Sequence, residues 1–303
     1  MTPVSLLVPC YNASAFLPRL IAAVRAQTTP FAEILCYDDG STDDTIAVAR
    51  GLDLNIIRGN SNRGVAFARN RLAEAAAAEW IHFHDADDLI DPAYLERLTP
   101  ACDARHDVVS CDADWIDEVT RKPIIAWRYE PAELARAPFP CLLTHPMGLN
   151  NSIVRRSAWA AVGGCDESLA IWEDSDVHVR LARSGARFHH VSAVLTWSLR
   201  RRESFSHDYR RNWTCRVQAL ENYAAGPLPP EVRPVLAAEA ERAARELVAL
   251  HANDAARRAL AVCRKVGFTP PLSRHPAVRL LKYFVPTLTL LRWQQQRRKR
   301  DQP

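Results

Sequence analysis

Four short apolar runs in the first hundred residues, separated by stretches of helical periodicity, constrain this chain more than any other feature. Val4 to Cys10 is the first run, and Phe16, Leu17, Leu20, Ile21 and Val24 then recur at helical spacing. Ile34 to Tyr37 is the second, followed by an Asp-Asp-Gly-Ser-Thr turn and a helical pattern from about Asp43 to Arg50. Asn55 to Arg58 reads as a third strand, Val65 to Ala78 as an Ala-rich helix, and Trp80 to His84 as a fourth strand. Such βαβα order predicts an α/β fold, with a mainly parallel, doubly wound central sheet flanked by helices. Sheets of this kind bind ligands beyond the carboxyl ends of their strands.

Acids stand at two of those ends. The fourth run leads into His84-Asp85-Ala86-Asp87-Asp88, and the second into Asp38-Asp39. Clustered carboxylates repel one another, and a cation between them relieves the repulsion. Oxygen-only ligands suit Mg²⁺ or Mn²⁺, ions that commonly share a site with a phosphate. The competing structural interpretation is helix capping, by the acidic pentad ahead of Pro92 and by Asp39 or Ser41 after the second strand.

From about Ala101 to Ser206 the pattern is less regular. Val108 to Trp115 and Phe188 to Trp197 read as strands, Asn151 to Val154 as a short one, and Asp174 to Ala182 as a helix. After Asp208, Pro227, Pro229, Pro230 and Pro234 punctuate a linker, and Leu236 to Cys263 is one Ala/Arg/Glu-rich helical pattern. The expected organisation is a nucleotide-binding half over residues 1–100, an acceptor-binding half of the same domain over 101–207, and a helical appendage over 208–303.

A hydrophobic content of 48% with 24% charged residues excludes disordered and collagen-like classes. The first apolar run is too short for a signal peptide, and no segment reaches the ~20 apolar residues of a membrane span. The eight cysteines form no C-x-x-C pair; Cys10, Cys36 and Cys111 fall in apolar runs and read as buried thiols of a reducing, cytoplasmic compartment. From Arg274 onward there are eight basic residues and one acid. Apolar Leu280 to Trp293 followed by Arg297-Arg298-Lys299-Arg300 fits peripheral contact of residues 280–300 with the inner face of an anionic membrane, and equally a solvated helix end. Nucleic acid is not an expected partner, since nothing aromatic or Gly-rich accompanies the charge.

Several motifs in order resemble one family. They are Val4 to Asn12 (VSLLVPCYN), Asp38-Asp39-Gly40-Ser41-Thr42-Asp43-Asp44-Thr45, Asn62-Arg63-Gly64, Ala68-Arg69-Asn70, Asp85-Ala86-Asp87-Asp88, Gly163-Gly164-Cys165-Asp166-Glu167 and Glu173-Asp174. The combination, over residues 4 to 206, is similar to the family 2 inverting glycosyltransferases of GT-A fold. The resemblance implies transfer of a single sugar from a nucleoside-diphosphate donor, a UDP-sugar above others, to a hydroxyl acceptor that is a sugar or a lipid-linked sugar. Pro9, Tyr11 and Asn12 would lie at the donor, with Tyr11 stacking on the base. Asp39 would accept the imide N–H of uracil, and Arg69 would stand near the diphosphate or base. Asp85, Ala86 and Asp87 would hold the ribose and a Mn²⁺ or Mg²⁺ ion, with Asp87 and Asp85 as its ligands. Asp88 would be a helix cap or a support behind them.

Inversion needs a base on the face opposite the leaving group. The resemblance assigns Asp174 to that role, with Glu173 orienting it or touching the acceptor, and Trp172 could stack on an acceptor sugar or fill the core. Arg200, Arg201 and Arg202 resemble an Arg/His-rich loop that closes on the diphosphate, with Arg201 at the donor. Arg202 stands where relatives often carry His, and Cys165 where they carry an aromatic residue. The Gln-x-x-Arg-Trp signature of processive synthases is missing, as is the Gly-x-Gly-x-x-Gly of dinucleotide-dependent dehydrogenases. The alternative function is a nucleotide-sugar-binding protein on the same fold with catalysis impaired. Neither the sugar, the acceptor nor the oligomeric state is legible.

Overall fold

The computed structural model describes residues 2–200, 208–271, 278, 281 and 285–300. The chain divides into two compact units, Met1–Ser204 and Phe205–Pro303.

In the first unit, β1 (Val4–Cys10), β2 (Glu33–Asp38), β3 (Asn55–Arg58) and β4 (Trp80–Phe83) are parallel, in the spatial order β3-β2-β1-β4. Helices α1 (Leu17–Arg25), α2 (Thr45–Gly51) and α3 (Val65–Ala75) make the crossovers. Strand β8 (Ser152–Arg155) runs antiparallel to both β4 and β6 (Val108–Asp117), so β4 and β6 point the same way. Strand β9 (Phe188–Arg200) is parallel to β6, and the two-residue β5 (Leu89–Ile90) is antiparallel to β9. The carboxyl ends of β1, β2, β4, β6 and β9 therefore share one edge of the sheet. Strand β7 (Pro123–Trp127), which the sequence patterns did not disclose, forms a hairpin with β6 and leaves most of its residues exposed. An all-exposed strand has no alternation to read.

Two apolar clusters fix this frame. Leu6, Val8 and Cys10 of β1 meet Leu17, Leu20 and Val24 of α1 and Cys36 of β2. Val109 and Cys111 of β6 meet Ile153 and Leu195 beneath Tyr94, Leu95 and Leu98 of α4 (Tyr94–Leu98). All eight cysteines are buried free thiols. Further helices, α5 (Pro131–Arg136), α6 (Pro138–Thr144), α7 (Arg156–Ala161) and α8 (Glu173–Arg183), belong to the second half of the unit. Helix α8 begins one residue before the expected Asp174, and β9 continues three residues past Trp197.

The second unit contains α9 (Tyr209–Ala224), α10 (Val232–Ala249), α11 (Asn253–Lys265) and α12 (Thr287–Arg300). The single helical pattern expected over Leu236 to Cys263 is broken after Leu250. His251 adopts a left-handed φ of 57°, its N–H bonds Val248 O, and Ala252 N–H bonds Leu247 O. That is a Schellman stop, usually marked by glycine, and a histidine there hides it from sequence. Leu290 and Leu291 of α12 are buried, and its Gln294 accepts from Arg245 of α10 at 3.0 Å. Among the described residues no helix is long and apolar enough to cross a membrane.

Candidate active site

The acidic pentad leaves β4 at the shared edge. His82 and His84 point into the protein and are fully buried; burial lowers their basicity to pKa values of about 3 and about 4, so both are neutral. Asp85 and Asp87 are half-buried, whereas Asp88 is buried. Asp88 does not cap the next helix. Asp91 Oδ1 accepts from Ala93 N at 2.8 Å in the turn ahead of α4. The Asp88 carboxylate instead accepts from Leu199 N at 3.1 Å, Ser198 Oγ at 2.8 Å and Asn150 Nδ2 at 3.2 Å.

Arg69 reaches this edge from α3, its side chain almost wholly buried. One guanidinium nitrogen donates to Asp85 Oδ1 at 2.8 Å and the other to Glu173 Oε1. A buried guanidinium needs such partners, because an unpaired charge there would cost several kcal/mol. Glu173 and Asp174 open α8, where the exposed N–H groups of a first turn favour negative charge. The chain enters that turn through Trp172, which is held at a left-handed φ of 84°. A bulky residue in that region is strained and marks a position the surroundings over-determine.

Exposure separates the two acids of α8. Glu173 is 6% exposed and committed to Arg69, whereas Asp174 is half-buried. Asp174 Oδ1 accepts from Ser175 N at 2.7 Å. Its backbone oxygen meets His178 Nδ1 at 2.7 Å, and His178 Nε2 meets Ser152 Oγ at 2.9 Å. Burial raises the pKa of Asp174 and the charge of Asp85 adds to this, while Arg69 and the Ser175 N–H offset part. Burial likewise pushes Glu173 up to about 7 against the pull of Arg69.

At the other end of the edge, Asp39 is buried just past β2. Its carboxylate accepts from Arg63 N at 3.0 Å and Gly64 N at 2.7 Å. Two backbone donors leave acceptor capacity on a carboxylate with about four lone-pair sites. Neither Asp39 nor Ser41 caps α2. Asp43 accepts from Thr45 N at 3.0 Å, and Ser41 Oγ accepts from Asn12 N at 2.9 Å. Asn12, at a left-handed φ of 51°, returns a bond by accepting from Thr42 N at 2.9 Å, which clasps the β1 and β2 loops together. Pro9 pairs with Tyr37 across β1 and β2, Ala86 is buried, and Tyr11 is 45% exposed with its ring available for stacking. Arg201 lies outside the described residues.

His178 and Asn150 were not singled out by pattern, and Asn70 appeared only as part of the Ala68-Arg69-Asn70 motif, with no role. Asn70 accepts from Cys165 N at 2.8 Å and donates to Cys165 O at 3.0 Å, closing a two-point clasp on the Gly163-Gly164 turn. A Cβ on Gly164, which has φ 68°, would collide with the Asn70 side chain. His178 steadies the first turn of α8, and Asn150 joins Asp88. Only Asn70 carried a signal, being adjacent to Arg69 on a helix whose next residue must face a different neighbour.

The donor set fits a hard cation. Among the described residues no group of three or more His, Cys, Asp or Glu is arranged to hold a metal. Mg²⁺ and its kind nevertheless take one or two carboxylates and fill the rest of their shell with water and substrate phosphates. Asp85 and Asp87 match that need, and Asp85 keeps its second oxygen beyond the one bound to Arg69.

Comparison with known proteins gives the family. Residues 5–162 match the family model for glycosyl transferase family 2. The chain is 31% identical over 167 residues to the uncharacterized glycosyltransferase YibD of Escherichia coli, covering 52% of this chain and 47% of YibD. It is 37% identical over 102 residues to the succinoglycan biosynthesis protein ExoU of Rhizobium meliloti, covering 32% of this chain and 30% of ExoU. The matches thus span less than half the length of these two relatives. In fold, it superposes on the mannosyltransferase PcManGT of Pyrobaculum calidifontis, solved with GDP-Man and Mn²⁺, with a TM-score of 0.63 at 21% identity over 96% of this chain and 84% of that one. With a matched family model over more than half its length and a GT-A-like sheet, the chain belongs to glycosyl transferase family 2.

Proposed function

We propose that this chain is an inverting, metal-dependent transferase that moves one sugar from a nucleoside-diphosphate donor, a UDP-sugar above others, to a hydroxyl acceptor in cell-envelope polysaccharide or glycolipid synthesis. The observation that carries it is the Arg69 fork, which joins Asp85 at the donor end to Glu173 beside Asp174. Asp174 takes the proton of the acceptor hydroxyl as its oxygen bonds to the sugar carbon, and the carbon–oxygen bond to the diphosphate breaks on the opposite face. The nucleoside diphosphate leaves with the bonding pair, and Asp174 returns its proton to solvent. Glu173, buried against Arg69, orients that turn, and Trp172 offers a ring to the acceptor sugar.

Tyr11, with Pro9 and Asn12 behind it, stacks on the base, while the remaining acceptor capacity of Asp39 takes an imide N–H. Asp85, Ala86 and Asp87 face the ribose and diphosphate, and Arg201 adds a guanidinium to the phosphates. Mn²⁺ or Mg²⁺ on Asp87 and Asp85 would supply neutralising charge to the departing diphosphate. Support for a polysaccharide setting comes from ExoU, and for the metal from the Mn²⁺ in PcManGT.

The test is release of nucleoside diphosphate from UDP-, TDP- and GDP-sugars in the presence of Mn²⁺, with inversion read by NMR of the product anomer. Retained configuration, or tight UDP binding without turnover of any donor, would overturn the proposal in favour of another mechanism or of an impaired binding protein. A cytoplasmic site of action with peripheral membrane contact through residues 280–300 belongs to the same proposal. Because Leu290 and Leu291 are buried, that contact rests on Trp293, which is 51% exposed, and the basic end. Trp293→Ala should weaken co-sedimentation with phosphatidylglycerol vesicles; unchanged binding would count against it.

A further inference from the structure

Asp88, Asn150 and Ser198 come from three separate parts of the first unit and meet in one polar knot around the buried Asp88 carboxylate. Asp88 immediately follows the metal-facing pair. Ser198 and Leu199 end β9 next to Arg200. Asn150 lies in the loop before β8, beside Gly148, and a Cβ on Gly148 would approach Asp174 Oδ2 to 3.6 Å. The bonds close on themselves: Asn150 Nδ2 donates both to Asp88 Oδ2 at 3.2 Å and to Ser198 Oγ at 2.7 Å, Ser198 Oγ donates to Asp88 Oδ2 at 2.8 Å, and Leu199 N donates to Asp88 Oδ1 at 3.1 Å.

This arrangement exceeds what the fold needs. Strand β9 is already held by its ladder with β6 over Val108–Asp117 and by β5 at Leu89 and Ile90. An apolar residue at 88 would fill the same space without a carboxylate to desolvate, so the buried acid is retained at a cost unless its directional bonds are used. What those bonds fix is the relative position of the acidic loop, the loop against Asp174, and the strand leading to the arginines.

We propose that Asp88, Asn150 and Ser198 are positioning residues that hold the donor end and the base end of the site in register, so that the sugar carbon is presented to the acceptor and not to water. The proposal rests on Asp174 being the base and Asp85 and Asp87 the donor end. Loss of a knot bond therefore leaves donor affinity nearly intact and misplaces the reacting atoms, an effect that falls on kcat and on the ratio of transfer to donor hydrolysis.

The experiment uses the full chain with Ser198→Ala, Asn150→Ala and Asp88→Asn. Hydrogen exchange reads the knot itself: Asn150→Ala should speed exchange of peptides covering 85–90 and 195–200 as well as its own loop. Steady-state kinetics read its use. Each variant should lose about tenfold in transfer, the kinetic equivalent of one hydrogen bond to a charged group, with donor KM within about twofold. The fraction of donor lost to hydrolysis should rise, and Ser198→Thr should restore it. Exchange changes confined to the mutated loop overturn the knot. Transfer and hydrolysis falling together, in step with a lowered Tm, overturn its positioning role. A wild-type chain that turns over no donor would speak against the proposed function, while the exchange data would still decide the knot. Should Asp88→Asn fail to fold, Ser198→Ala and Asn150→Ala carry both measurements.

Discussion

Arg69 and Glu173, 104 residues apart in the chain, form a buried ion pair whose other guanidinium branch holds Asp85. The same cation thereby offsets the charge of Asp85 after β4 and anchors the turn that carries Asp174. Its removal leaves two carboxylates partly or wholly buried and uncompensated.

Arg69→Met should therefore cost about 3 kcal/mol or more of stability, as breaking a buried pair does. Adding Glu173→Gln should return part of that loss. Urea denaturation of the two single variants and the double variant measures it; strict additivity would show that the pair is not coupled.

Asp174→Asn removes the proposed proton acceptor and keeps the shape. Transfer should fall by about 10² to 10⁴, the usual worth of a positioned base, while UDP binding by calorimetry stays unchanged. Transfer retained within threefold would move the base elsewhere.

The pH dependence follows from the upward shift at Asp174. A base works only when deprotonated, so a raised pKa moves the acid limb of kcat/KM to higher pH than the ~4 of an ordinary carboxylate. Activity should fall off as pH drops through that raised value, whose main cause is burial. An acid limb at or below pH 4 would contradict the buried setting.

Chelation tests the acidic pair. EDTA should abolish donor turnover, and Mn²⁺ or Mg²⁺ should restore it. Asp87→Ala should weaken Mn²⁺ binding measured by electron paramagnetic resonance with the nucleotide present. Full turnover in EDTA would remove the metal from the proposal.

Gly164→Ala should destabilise the protein by about 1–3 kcal/mol, because alanine resists a φ of 68° and its Cβ meets Asn70. Differential scanning calorimetry gives the shift. A neutral effect would mean that the Asn70 clasp is slack.

The parallel half was legible because each of its strands and crossovers carries a period of its own, and the acids at strand ends stand next to those periods. Strand β7 and the break at His251 were not, since one has no buried face and the other lacks the glycine that usually marks such a stop. Asp39 and Asp88 show the limit at single residues. A helix cap was one reading of each, beside a base ligand for Asp39 and a support for the acidic pair at Asp88, and both bind backbone N–H groups well beyond the next helix, at Gly64 and at Leu199. Nothing within a short window of sequence reports a partner 111 residues away.

The span between Arg69 and Glu173 also has a consequence for synthesis of the chain. A contact so distant closes only after the intervening strands have paired, because loop closure must be met before the contact repays it. A ribosome-bound chain ending before α8 would carry Asp85 and Asp87 but neither Glu173 nor Asp174. On the proposed function, the two ends of the site therefore come together only once α8 has emerged and packed against Arg69.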